Sequence, residues 1–181
     1  MIKKYIPNIF TFLNMLLGLM AILLLVHAEH DHKIIIVTVL ILTGSVADFF
    51  DGFFARKFDV VTNFGKQLDS FADIITFGIA PIALLNHICS CNYKVLAIVA
   101  SMAYLSAGAY RLARYNLGEF KSHFAGMPIT IAGVLLTLYS ASYSLWAQSV
   151  HDLKSSTVTL LFVILLVMLM VSRKKIKRIL K

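Results

Sequence analysis

The chain has 181 residues, 59% of them hydrophobic, with a mean hydropathy of +0.82 and only 14% charged residues, against about 25% charged in an ordinary soluble domain. A soluble domain of this size leaves roughly a third of its unfolded-chain surface in contact with water, which excludes burying so many uniformly apolar runs in one aqueous core. The net charge of +8 points to membrane headgroups and not to nucleic acid, because no soluble stretch is long enough to present the basic residues as a groove-reading face.

Apolar segments fall at residues 8–27, 33–54, 67–88, 93–115, 128–148 and 156–172, each near the ~20 residues that cross a bilayer as a helix. The expectation is an all-α polytopic membrane protein: six transmembrane helices forming a single membrane-embedded domain over residues 1–181. The first segment follows the basic "MIKKY" but has no small-x-small cleavage site after it, so it reads as a retained helix and not as a secretory signal. After it, "HAEHDH" (His27, Glu29, His30, Asp31, His32) resembles a metal tract but lacks fixed helical spacing, and reads as a solvated turn. Between the third and fourth segments Cys89 and Cys91 are spaced C-x-C, which neither makes a zinc site unaided nor closes an unstrained disulfide. The tail "SRKKIKRILK" reads as lying along acidic lipid. Of the 17 lysines and arginines, all but Lys33, Lys94 and Lys154 fall on the side shared by the two termini and the 2–3 and 4–5 loops. The positive-inside rule therefore puts both termini and the "ARKFDVVTNFGK" loop in the cytoplasm, with the chain in the cytoplasmic membrane.

The second and third segments carry carboxylates. Asp48 and Asp51 are three apart, and Gly52 and Ala55 continue their stripe; Gly65, Asp69 and Asp73 are four apart on the next helix. Because these helices are consecutive and joined by a short loop, four acidic groups can converge just inside the cytoplasmic boundary. Ionised carboxylates in a membrane need a polar cavity and partners. Arg56 can pair with one of them, and hard divalent cations (Mg²⁺, Mn²⁺ or Ca²⁺) supply the remaining compensation more simply than zinc does. Two metals bridged by shared carboxylates suit phosphoryl chemistry. Gly52 and Ala55 allow close approach to the helix backbone and Arg56 can grip phosphate, a layout that fits a pyrophosphate-containing substrate; small-residue packing between membrane helices is the alternative, outweighed by the four aspartates and the arginine beside them.

"DFFDGFFARKFDVVTNFGKQLDSFAD", residues 48–73, matches D-x2-D-G-x2-A-R-x8-G-x3-D-x3-D with every fixed position present, and so resembles the CDP-alcohol phosphotransferases. That resemblance implies a six-helix membrane enzyme, often a homodimer, with the motif on helices 2 and 3. "IPNIFTFLNMLLG", "AGAYRLARYN" and "FAGMPITIAG" further resemble the branch of the family that accepts serine. The implied donor is CDP-diacylglycerol and the implied acceptor L-serine, with CMP released. Asp48, Asp51, Asp69 and Asp73 would hold two Mg²⁺ or Mn²⁺ ions, Asp73 would also be the general base, and Gly52, Ala55, Arg56, Thr62 and Gly65 would line the CDP site.

Outside the motif, Asn8, Thr11 and Asn14 recur every three residues at the start of helix 1 and are candidates for binding the nucleotide or its phosphates, with interhelical hydrogen bonding as the alternative. Arg111 and Arg114, one turn apart at the end of helix 4, either anchor the helix at the interface or hold an anion, the serine carboxylate or a lipid phosphate. His123 is a single histidine on the same side and carries little weight. The same chemistry with glycerol 3-phosphate or an inositol phosphate as acceptor is the nearest alternative. A cation-coupled transporter is the distant one, disfavoured by the absence of a visible repeat or broken helix.

Overall fold

The computed structural model describes residues 5–28, 32–88, 94–117, 124–146, 153–172 and 175–176. Almost all of these are helical: α1 (Ile6–His27), α2 (Lys33–Lys57), α3 (Asn63–Ile88), α4 (Lys94–Asn116), α5 (Ile129–Trp146) and α6 (Leu153–Val171). The one extended feature among them is an antiparallel clip between β1 (Phe124–Ala125) and β2 (Lys175–Ile176), with Phe124 opposite Ile176. Glu29, His30, Asp31, Cys89, Cys91 and His123, weighed in the sequence, lie outside the described residues.

Each predicted apolar segment corresponds to one helix. Four are long and apolar enough to cross a bilayer: α1, α2, α3 and residues Val95–Asn116 of α4. In α5 and α6 the apolar stretches are shorter, Ile129–Leu145 and Thr157–Val171. The outward faces carry Leu16, Met20, Val39, Val99 and Met102, all well exposed, the arrangement expected where lipid and not water is the solvent.

α3 is the central element, touching α1, α2, α4 and α5. Its first part, Asn63–Asp73, is ordinary α-helix; Ile74–Ile79 is a π-helical turn; Ala80–Ile88 resumes the α pattern. The sequence reading anticipates an unbroken helix here. Pro81 follows directly, and it offers no N–H to the Phe77 carbonyl four residues earlier. Around the turn the helices approach at backbone distance. A methyl group at Gly18 would lie 2.7 Å from Thr76 Cα, and one at Gly133 2.7 Å from the Phe77 carbonyl oxygen. Phe77 within the turn, with Leu84, Tyr104, Ile129 and Leu136, belongs to the fully buried core.

Candidate active site

Two local devices reverse the chain between the carboxylate-bearing helices. α2 ends in a Schellman closure, in which Asp59 N donates to Arg56 O (3.2 Å) and Val60 N to Ala55 O (3.0 Å). Asp59 takes φ 52°, the left-handed position usually given to glycine but open to aspartate. Thr62 then caps α3, its Oγ1 accepting from Gly65 N at 3.0 Å. With the reversal fixed at both ends, the Asp48/Asp51 face of α2 meets the Asp69/Asp73 face of α3.

One ligand oxygen from each of Asp48, Asp51 and Asp69 lies within 4.8 Å of the others. Asp73 lines the same cavity, within side-chain reach of Asp48. The cavity has a volume of about 280 Å³ and is walled by α2, α3, the end of α4 and the start of α5. Asp51 and Asp73 are buried, each only 6% exposed. The protein's own donors satisfy the group unevenly. Thr11 Oγ1 donates to Asp51 Oδ2 at 2.8 Å and Thr130 Oγ1 to Asp48 Oδ2 at 3.4 Å, while Asp69 Oδ1 and Asp73 Oδ1 are buried without a hydrogen-bond partner. Four carboxylates so close repel one another, and burying them charged costs several kcal/mol each unless a cation or proton compensates. An all-oxygen donor set with unfilled acceptors fits a hard divalent cation.

Of the other predicted residues, Gly52, Arg56 and Arg111 line this cavity. Gly52 serves its own helix: a methyl there would lie 3.3 Å from Arg56 Nη1, so the glycine lets the guanidinium fold back over the preceding turn. Arg111 is half-buried, near enough to Asp73 for their charges to interact, and its Nε has no hydrogen-bond partner. Arg114 lies 5.5 Å from the centre of the Tyr110 ring and is not part of the cavity lining. Asn8, Thr62 and Gly65 gather at the start of α3, where a methyl at Gly65 would meet Thr62 Oγ1 at 3.1 Å and Asn8 Oδ1 at 3.4 Å. Ala55 is partly buried and spends its carbonyl on the Schellman bond. Asn14 is fully buried beside Gly44, with neither amide atom hydrogen-bonded, and its backbone carbonyl accepts from Thr76.

Other lining residues had no comparable signal in the sequence. Thr130, at the start of α5, reaches Asp48. Asn116 Nδ2 donates to Ser70 Oγ at 2.9 Å, joining α4 to α3 at the rim, and Lys66, Tyr115 and Pro128 complete the wall. A threonine at the head of an apolar run and a serine between two aspartates look like ordinary helix residues until the helices are assembled.

Apolar helices around a polar cavity with a carboxylate cluster fit a membrane enzyme that uses a divalent cation, and comparison with known proteins places the chain in a family. The chain belongs to the CDP-alcohol phosphatidyltransferase family, whose model matches residues 4–179. It is 38% identical over 142 residues to the CDP-diacylglycerol–serine O-phosphatidyltransferase of Bacillus subtilis, covering 78% of each chain. The protein of that name from Helicobacter pylori strain 26695 is 32% identical over 92% of this chain and 69% of its own, and that from Methanocaldococcus jannaschii 35% identical over 72% and 58%. Family membership makes the chain a membrane transferase of phospholipid synthesis, and sets the transporter reading aside.

Proposed function

We propose that the protein transfers the phosphatidyl group from CDP-diacylglycerol to the hydroxyl of L-serine, giving phosphatidylserine and CMP. The observation that carries the reading is the meeting of Asp48, Asp51 and Asp69 oxygens within 4.8 Å at a cavity also lined by Asp73 and two arginines. The names of relatives aligned over most of the chain support serine as the acceptor.

Asp48, Asp51, Asp69 and Asp73 would hold two divalent cations, Mg²⁺ or Mn²⁺, which when bound neutralise the pyrophosphate and the departing CMP. Asp73 is the general base. Its free buried oxygen takes the proton of the serine hydroxyl as that oxygen bonds to the lipid-side phosphorus and the phosphoanhydride bond to CMP breaks. Thr11 and Thr130 hold Asp51 and Asp48 in orientation. Arg56 and Gly52, with Ala55, Thr62, Gly65 and the α1 residues Asn8, Thr11 and Asn14 behind them, shape the nucleotide side. Arg111, with its unpaired Nε, receives the serine carboxylate or a lipid phosphate, and Arg114 supports that end of α4.

In this reading residues 1–181 form a single membrane-embedded domain with six transmembrane helices, both termini and the site facing the cytoplasm, working as a homodimer. The positive-inside distribution and the family resemblance support it. Purified protein supplied with CDP-diacylglycerol and L-serine should release CMP, and EDTA should stop the release until Mg²⁺ or Mn²⁺ is restored. Turnover with glycerol 3-phosphate and none with serine would overturn the acceptor.

A further inference from the structure

We propose that Thr76 and Tyr104 are positioning residues for the reaction, holding Asp73 in place by pinning the π-helical turn that follows it. This deepens the reading above and rests on Asp73 belonging to the reacting site.

The turn Ile74–Ile79 begins at the residue after Asp73. π-Helical turns are rare and tend to occur at functional sites. This one inserts an extra residue between the carboxylate-bearing part of α3 and its core-packing part, changing their relative azimuth by about 100°, one residue's worth of helical rotation. Its bonding is loosened to the longer step, with Ala80 N donating to Ile75 O, and Pro81 denies Phe77 O its ordinary helical donor. Left alone, such a segment has little to oppose relaxation towards α geometry upstream of the proline, and that relaxation would rotate Asp73.

Hydroxyl groups from the turn and from a neighbouring helix supply the restraint. Tyr104 on α4, fully buried, donates its OH to Phe77 O at 3.0 Å, so the carbonyl orphaned by Pro81 is satisfied from outside the helix. Thr76, also fully buried, donates its Oγ1 to Asn14 O on α1 at 2.9 Å. Gly18 and Gly133 clear the space that lets α1 and α5 close on the same turn. Neither Thr76 nor Tyr104 lines the cavity, so neither reaches the substrate, and their influence passes through the backbone to Asp73.

The test uses the full chain in detergent micelles with CDP-diacylglycerol and L-serine, comparing Thr76→Val, Thr76→Ser and Tyr104→Phe by kcat, by KM for each substrate and by the fraction of folded protein. Thr76→Val and Tyr104→Phe should lower kcat per folded molecule by about tenfold or more with each KM within about threefold. Thr76→Ser, which keeps the hydroxyl, should stay close to the parent. Residues serving stability alone would reduce the yield of folded protein and leave kcat per folded molecule unchanged. That result in both hydroxyl-deleting variants, or Thr76→Ser as impaired as Thr76→Val, overturns the proposal. Should Thr76→Val fail to fold, Tyr104→Phe, which removes one oxygen and keeps the ring, decides alone. A parent that uses another alcohol corrects the acceptor and not this inference, because the same variants are then compared with that alcohol.

Discussion

Thr11 reaches Asp51, Thr130 reaches Asp48, and one oxygen each of Asp69 and Asp73 is left without a donor. Aspartates of identical chemistry thus differ by neighbours alone, and the differences separate their expected mutant phenotypes. Asp73→Asn should abolish CMP release while CDP-diacylglycerol binding, measured by titration, is partly retained, because the amide keeps the volume and an oxygen but cannot take a proton. Thr11→Val should leave the enzyme active but less able to hold cation. Loss of one hydrogen bond to a carboxylate is worth about 1.5 kcal/mol or more, so the Mg²⁺ concentration for half-maximal turnover should rise by about tenfold or more. At this scale the aspartates were legible because helical spacing alone puts each pair on one face. Thr11 was legible only as a polar residue on the right helix, and its partner proved to be a carboxylate on α2. Thr130 had no signal, since its role depends on where the head of α5 arrives in space.

The contact between α1 and α3 depends on Gly18, whose added methyl would meet the backbone of Thr76, whereas one at Gly78 would meet the end of a flexible Leu105 side chain at 3.1 Å. Gly18→Ala should therefore force the helices apart, costing about 1–3 kcal/mol as overpacking does and visibly lowering the thermal midpoint in detergent. Gly78→Ala should fall near the parent in the same measurement. Helix positions followed from hydropathy because a bilayer demands long apolar runs, and the ends proved less legible for a physical reason. α2 runs on to Lys57 and α3 begins at Asn63, each beyond the predicted apolar limit, because caps and backbone closures stop helices and hydropathy does not register them. Asp59 fills a glycine's position in the closing turn, so no glycine marked it. Pro81 was the visible trace of the π turn, but a proline alone does not say whether a membrane helix kinks, breaks or changes its bonding step.

Across the whole molecule the basic residues predict an orientation that can be checked chemically. In the orientation proposed above, the segment between α3 and α4 that carries Cys89 and Cys91 belongs on the side opposite the termini. A membrane-impermeant maleimide should label them in right-side-out vesicles and leave them unlabelled in inverted ones; the reverse pattern would invert the topology. The family was legible from the 48–73 motif because metal and phosphate chemistry fixes residue types at fixed spacing, whereas the acceptor depends on contacts spread over several helices. A clip between Phe124–Ala125 and Lys175–Ile176 precedes the head of α5. Met127 N bonds to Leu169 O and Gly126 takes φ 77°, and the next turn of chain carries Pro128 and Thr130 to the cavity wall. A disturbance of the clip is therefore only five residues of chain from Thr130 and its hydrogen bond to Asp48, so a rate lost on altering the clip is to be read first as a loss at the cavity wall.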